Sequence, residues 1–366
     1  MMKLNRVIIS GGGTGGHIFP AIAIANELKE QNPNINILFI GAEGRMEMEK
    51  VPEAGYIIKA LPIAGFQRKN PFANFSLPLK IMKSLLKARS IIKSFKPDVV
   101  IGVGGYASGP TLKMANIMSV PTVIQEQNAY PGKTNKLLAK SASLICVAYE
   151  GLERFFPKDK IVVTGNPVRQ QMVQINGKRD QALTHFGLQN DKKTVLVIGG
   201  SLGARTLNES MNVSIEKFSD AGVQVIWQCG KFYADQLFHK WDGKLPEGIW
   251  LNPFIFDMDY AYAAADLIIS RAGAISVSEL CLVGKPTILV PSPHVAEDHQ
   301  TKNAMALVDK EACILVKDAD AIQNLYETAT NTLNDEKLCA QLAKNMKELG
   351  LPNASKTIVE HILKRI

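Results

Sequence analysis

Residues 266–279 read DLIISRAGAISVSE. Asp266 to Ser270 has the length and branching of a buried strand. Arg271, Ala272, Gly273 and Ala274 make a tight, small-residue turn, and Ile275, Ser276, Val277, Ser278, Glu279 and Leu280 open a helix. The first N–H groups of such a helix have no partner within it and carry partial positive charge, so a phosphate or diphosphate fits there. Glu279 follows within about two turns of that end, where its carboxylate can accept bonds from paired sugar hydroxyls. Strand, glycine turn, helix start and trailing acid together fit a nucleotide pocket. Taken alone they also fit an ordinary strand–helix unit with a chance glutamate.

The same punctuation recurs elsewhere in the chain. Thr194–Ile198 is a strand that ends in Gly199-Gly200-Ser201-Leu202-Gly203-Ala204-Arg205. Arg6–Ser10 ends in Gly11-Gly12-Gly13-Thr14-Gly15-Gly16-His17, with a helix expected from about Pro20 to Glu30. Gly11, Gly13 and Gly16 satisfy the dinucleotide G-x-G-x-x-G, although the acid after the second strand (Ile37–Ile40), Glu43, sits late for that pattern. His17 is expected at the carboxyl edge of the sheet, as a general base or as a helix cap. Pro97–Ile101 leads into a glycine turn at 102–110, and Val120–Gln125 exits through Glu126, Gln127 and Asn128, a polar trio suited to gripping a ligand. Leu144–Val147 and Ile161–Thr164 complete a parallel, doubly wound half. Gly165-Asn166-Pro167-Val168-Arg169 breaks the pattern. The expected domains are therefore 1–166 and 167–366, two similar α/β halves facing a common cleft, with the last helix free to pack back on the first half.

Composition bounds the function. A chain of 366 residues with 46% hydrophobic content implies two packed domains. A net charge of +8 points to an anionic partner. The basic residues do not cluster with interleaved aromatics on one module, so no nucleic acid is expected. Five cysteines without paired spacing speak against zinc or a disulfide framework and for a reducing interior. There is no signal peptide at the start and no apolar run long enough to span a membrane, so any membrane contact is expected to be peripheral. One region fits such contact. Phe66, Phe72, Phe75, Leu77 and Leu79 populate a loop at 62–79, and a helix follows at Lys80–Lys96. Ile81, Leu85, Ala88, Ile92 and Phe95 share one face, the expected core face; Lys80, Lys83 and Lys87 share another. Apolar side chains beside a lysine row suit an anionic bilayer. Asp257-Met258-Asp259 has the D-x-D spacing of a nucleotide-sugar metal site, but a cap on the following helix is the favoured reading.

Taken together the motifs resemble one family over nearly the whole chain: the bacterial N-acetylglucosaminyltransferases that add the second sugar of the lipid-linked peptidoglycan precursor. They are GGTGGH at Gly12–His17, GGYxSGP at Gly104–Pro110, EQN at Glu126–Asn128, NPVR at Asn166–Arg169, GGSxGA at Gly199–Ala204, FIxDM at Phe254–Met258, RxGA…SE at Arg271–Glu279 and PHVAEDHQTKNA at Pro293–Ala304. Small departures exist: Gln125 stands where a histidine often precedes EQN, and Ala272 and Ser276 replace a common serine and threonine. The resemblance implies an α/β GT-B fold of two Rossmann-like doubly wound domains with a cleft between them. It implies UDP-N-acetylglucosamine as donor on the C-terminal domain and an undecaprenyl-pyrophosphoryl muramyl-pentapeptide acceptor on the N-terminal one. By position, Glu279 should bind the ribose and the Ile255 backbone the uracil. Arg169, Ser201 and the helix start Ala274, Ile275, Ser276, Val277 and Ser278 should serve the diphosphate, and Thr14, Gly15, Gly16, Asn128 and Gln300 the sugar. A peripheral place on the cytoplasmic face of the cell membrane is implied, with roles in cell-wall biogenesis, cell shape and division.

An α-linked donor and a β-linked product imply a single inverting displacement and a base for the acceptor 4-hydroxyl. His17 is the first candidate and Glu126 the second. Oriented N–H groups and Arg169 can carry the charge of the departing UDP, so no metal or other cofactor is expected. The rivals are a nucleotide-sugar 2-epimerase on the same architecture, a nicotinamide dehydrogenase and a non-catalytic nucleic-acid binder.

Overall fold

The computed structural model describes residues 4–63, 75 and 77–366. The described chain divides into two compact units, Met1–Val168 with Pro352–Ile366, and Arg169–Leu351.

The first unit is built from β1 (Arg6–Gly11), α1 (Gly15–Gln31), β2 (Asn36–Ala42), α2 (Glu47–Glu53), β3 (Ile57–Leu61), α3 (Leu77–Phe95), β4 (Val99–Gly104), α4 (Ser108–Ile117), β5 (Thr122–Glu126), α5 (Lys133–Leu138), β6 (Leu144–Val147) and β7 (Ile161–Val163). Its seven strands form one parallel sheet in the order β3-β2-β1-β4-β5-β6-β7. Central strands such as Val7–Ile9 and Val99–Ile101 are apolar at every position because helices cover both faces. Ile8, Ile40, Val100 and Ile124 pack into one core layer, and Val7, Ile9, Phe39, Val99 and Val123 into the other. The C-terminal helix of the chain joins the second layer through Ile358, Val359 and Ile362.

The second unit holds α6 (Arg179–Phe186), β8 (Thr194–Ile198), α7 (Arg205–Asp220), β9 (Gln224–Gln228), α8 (Ala234–Trp241), β10 (Ile249–Asn252), α9 (Met258–Ala264), β11 (Leu267–Ser270), α10 (Ala274–Val283), β12 (Thr287–Leu289), α11 (His299–Val308), β13 (Ile314–Leu315), α12 (Ala321–Asn334) and α13 (Glu336–Glu348); α14 (Ala354–Arg365) is the helix that belongs to the first unit. Its six parallel strands run β10-β9-β8-β11-β12-β13. Two doubly wound parallel sheets are the GT-B architecture expected from the sequence.

Three local expectations are corrected. α1 begins at Gly15, not near Pro20, which places His17 inside its first turn and Pro20 within the helix. Ile81, expected on the core face of α3, is 41% exposed; the face that packs carries Ser84, Ala88, Ile91 and Ile92. β3 has no counterpart in the sequence reading, because this edge strand alternates between exposed and covered positions and Ile57 points to solvent. Phe66 and Phe72 lie outside the described residues.

Candidate active site

In an open parallel sheet the strand order reverses at one point, and the loops leaving the two strands there diverge to leave a crevice. In the second unit that point lies between β8 and β11. The loop after β8 is Gly199–Ala204, and the turn after β11 is Arg271–Gly273. A cavity of about 560 Å³ opens at these loops, of a size suited to a small-molecule ligand. Of the residues expected from sequence, Arg169, Ser201, Ile255, Ser276, Glu279 and Gln300 line it. Ala274, Ile275, Val277 and Ser278 share α10 but are not among its lining. Val277 is buried in the packing of the helix, and the Ser278 hydroxyl donates to the Ala274 carbonyl at 3.1 Å. Gly273 occupies the N-cap position of α10 with extended backbone and makes no side-chain cap.

Charge is distributed unevenly around this cavity. Arg169, Arg205 and Arg271 line it with the acids Glu279 and Asp318. Arg271 donates to the Asp318 carboxylate and, at 2.9 Å, to the Val290 carbonyl, and Asp318 also accepts from the Thr206 hydroxyl at 2.9 Å. Arg271 is thereby fixed as a strut of the β11 turn. Glu279 is different. Burial pushes its carboxyl up to about 7, against the pull of the Arg169 charge and a 3.3 Å bond from the Tyr262 hydroxyl. Gln300 accepts the Ser292 N–H through its amide oxygen at 2.8 Å, which leaves its NH2 end as a donor. Phe254, Met258 and Met172 supply the apolar part of the wall. Sequence reasoning missed Tyr262, Asp318, Thr206 and Gln228, because they reach the cavity from separate elements and no spacing announces them. Arg271 was visible, but only as a turn former.

The first unit has its own switch point, between β1 and β4. Thr14 is the N-cap of α1, and Gly15, Gly16 and His17 form its first turn. His17 Nδ1 lies 3.1 Å from the Gly12 carbonyl and 3.4 Å from the Thr14 hydroxyl. Gly104, with φ +103°, closes against the ring: a Cβ there would stand 2.6 Å from His17 Cδ2. Glu126 and Asn128 stand at the exit of β5. Glu126 is buried, and its carboxylate accepts the Asn128 N–H and side-chain amide at 3.1 and 3.3 Å, the Gly132 N–H at 3.1 Å and the Asn135 amide at 2.8 Å. Both oxygens of Glu126, the second candidate base, thus also organise the turn at 128–135. Gln125, the departure from the motif, donates to Asn166 Oδ1 at 3.0 Å, and Asn166 donates to the Gln127 carbonyl, so the glutamine is absorbed into a buried amide ladder.

Asp257 holds the N-cap position of α9, yet its side chain makes no capping bond, contrary to the favoured reading. It faces His185 at 3.6 Å, while Asp259 pairs with Lys178 at 2.6 Å. The two carboxylates thus engage different partners. Among the described residues no cluster of three His, Cys, Asp or Glu side chains forms a metal-binding group, and no helix is long and apolar enough to cross a membrane. On α3, Leu79, Met82 and Leu86 are exposed, with Phe75 just ahead of the helix.

Residues 7–147 match the glycosyltransferase family 28 N-terminal domain and residues 194–358 its C-terminal domain. The chain is 55% identical over 365 residues to a UDP-N-acetylglucosamine–N-acetylmuramyl-(pentapeptide) pyrophosphoryl-undecaprenol N-acetylglucosamine transferase of Parabacteroides distasonis, covering 100% of this chain and 99% of that one. The protein of the same description from Bacteroides thetaiotaomicron is 55% identical, covering 100% and 98%. The crystal structure of MurG from Acinetobacter baumannii superposes with a TM-score of 0.80 at 29% identity, covering 98% of this chain and 99% of that one. A UDP-GlcNAc 2-epimerase from Neisseria meningitidis shares the fold, with a TM-score of 0.68 at 18% identity, covering 98% and 100%.

Proposed function

The chain belongs to glycosyltransferase family 28, and within it to the UDP-N-acetylglucosamine–N-acetylmuramyl-(pentapeptide) pyrophosphoryl-undecaprenol N-acetylglucosamine transferases; from that membership we infer that it moves N-acetylglucosamine from UDP-N-acetylglucosamine to the lipid-linked muramyl-pentapeptide in peptidoglycan synthesis. The observation that carries the donor assignment is the cavity at the β8/β11 switch point, where the start of α10, Arg169 and Glu279 line one space. In this reading Glu279 accepts bonds from the ribose hydroxyls and the Ile255 backbone meets the uracil. Arg169, Ser201 and the first amides of α10 hold the diphosphate, and Gln300 meets the sugar. Thr14, Gly15, Gly16 and Asn128 of the first unit serve the sugar as well, and the same unit takes the lipid-linked acceptor.

Chemistry follows from charge. The acceptor 4-hydroxyl attacks the anomeric carbon from the face opposite UDP. The new C–O bond forms as the bond to the β-phosphate oxygen breaks, its electron pair leaves with UDP, and the hydroxyl proton passes to His17 Nε2. The growing charge on the β-phosphate is met by Arg169 and oriented N–H groups, so turnover is expected to persist in EDTA. The apolar stripe of α3 with Lys80, Lys83 and Lys87 supports peripheral attachment to an anionic membrane, on the cytoplasmic side where the donor is available, with no role for nucleic acid. Supply of the precursor would in turn bear on cell shape and division.

The test is transfer of radiolabelled N-acetylglucosamine with and without the lipid-linked acceptor, each with and without EDTA. Label entering the lipid fraction only with acceptor is the expected result. Label appearing in an epimerised free sugar without acceptor would establish the 2-epimerase reading instead.

A further inference from the structure

Glu47 is an acid that the proposed reaction leaves without a task. It lies at the start of α2, 1% exposed, with its carboxylate turned into the glycine loop ahead of α1. Oε1 accepts the Ala42 N–H at 2.9 Å and Oε2 accepts the Gly13 N–H at 2.7 Å. A buried carboxylate with no cationic partner costs several kcal/mol unless hydrogen bonds compensate it, and here two backbone amides do so. The fit is close: a Cβ on Gly12 would collide with this carboxylate, and one on Gly41 would stand 2.6 Å from its Cγ.

The Gly13 N–H belongs to the same peptide group as the Gly12 carbonyl, and that carbonyl is the partner of His17 Nδ1 at 3.1 Å. The connection therefore runs imidazole, peptide group, carboxylate. A carbonyl oxygen can only accept, so this contact is a hydrogen bond when Nδ1 carries the proton, and Nε2 is then the nitrogen that can take one up. A negative charge on the N–H side of an amide pushes its electrons toward the oxygen, which makes Gly12 O a stronger acceptor and favours a partly positive ring. A carboxylate bonded directly to a histidine does the same in hydrolytic triads; here a peptide group stands between the two.

Resting on the assignment of His17 as base, we propose that Glu47 is its positioning residue, acting through the Gly12–Gly13 peptide to fix the tautomer and orientation of the ring. The neighbouring charged and titratable groups have other arrangements. Lys50 pairs with Glu53 at 2.7 Å, and Arg45 sits over the exposed Tyr106 ring. The arrangement also accounts for why the glycine loop does not offer the Gly13 N–H to a cofactor pyrophosphate: the amide is already bonded to Glu47.

The test pairs kinetics with ¹⁵N spectroscopy of the histidine rings. In the unsubstituted protein, above the titration of the ring, His17 should show the Nδ1–H tautomer; an Nε2–H tautomer overturns the proposal without any variant. Glu47→Gln keeps the shape but can offer only one acceptor atom to the two amides. It should lower kcat about 10- to 100-fold, the range for loss of an orienting partner, with the KM for UDP-N-acetylglucosamine changed less than about twofold and the His17 signals moved toward a tautomer mixture. Glu47→Asp retains the charge at shorter reach and should recover part of kcat. An unchanged kcat in Glu47→Gln, with His17→Ala inactive, overturns this inference alone; an unchanged kcat in His17→Ala overturns the base assignment and this inference together.

Discussion

Glu279 is subject to opposing demands. Its carboxyl is pushed up to about 7 by burial, from an ordinary value of 4.5. Between those values the folded chain holds a proton that the unfolded chain has released, so the ligand-free protein loses stability as pH rises through this window. The shift is worth roughly 3 kcal/mol at its limit. Ribose hydroxyls, by contrast, donate best to the ionised form, and the donor diphosphate, esterified at both ends, does not titrate here. Affinity for UDP-N-acetylglucosamine should therefore strengthen by up to about tenfold between pH 6 and 8, read by calorimetry. Glu279→Gln should abolish that dependence and the stability slope, whereas His294→Gln, on the same cavity wall, should leave the dependence in place. His17→Ala makes a complementary prediction: kcat down by about 10²- to 10⁴-fold with the donor dissociation constant unaltered, since His17 belongs to the other unit. The acid at 279 was legible in sequence from its distance behind a glycine turn. Its pKa was not, because the burial that raises it, and the Arg169 charge and Tyr262 hydroxyl that oppose the rise, come from elements far apart in sequence.

At the scale of the element, α3 carries apolar residues on two sides. Ser84, Ala88, Ile91 and Ile92 face the core, while Leu79, Met82 and Leu86, at spacings of three and four, share an exposed stripe next to Lys80, Lys83 and Lys87. Periodicity found this helix but assigned Ile81 to the wrong side, because a 3.6-residue repeat shows that a face is apolar without showing what covers it. The stripe yields a direct prediction. Burying a large apolar side chain is worth about 1.5–3 kcal/mol, so Leu79→Asp with Met82→Asp should reduce partitioning onto anionic vesicles by more than about tenfold in a sedimentation assay. Raising salt should weaken binding of the unsubstituted chain by screening the lysines. Transfer to a short-chain, water-soluble acceptor should be unaffected in the double variant. Equal partitioning of variant and parent would remove α3 from the membrane reading. The helix starts follow the same lesson. The turn at Gly273 is readable because small residues and a glycine have few other uses there, whereas α1 starts five residues ahead of Pro20, the expected opening, because the helix accommodates that proline inside.

For the whole molecule, the repeated strand–glycine–helix pattern is what made two doubly wound sheets legible. Four such turns at 11–17, 102–110, 199–205 and 271–274 leave little choice but parallel strands with loops at one edge. The return of the chain to its first unit was open from sequence, since α14 is an amphipathic helix with no mark of its destination. Its docking rests on Ile358, Val359 and Ile362, which are fully buried in the same layer as Val7, Ile9 and Phe39. At about 1.5–3 kcal/mol for each side chain, these three contribute an amount comparable with the 5–15 kcal/mol that holds a typical domain folded. Truncation after Leu351 should therefore unfold or strongly destabilise the first unit while the second, Arg169–Leu351, still binds UDP. Calorimetric titration with UDP and a two-step thermal melt separate the outcomes. Retained UDP binding with loss of the first unit's transition and of transfer activity is the expected result. A truncated chain that still transfers sugar at the parental rate would show that α14 contributes little to the unit on which it packs, and that the area buried by its three apolar side chains overstates their worth.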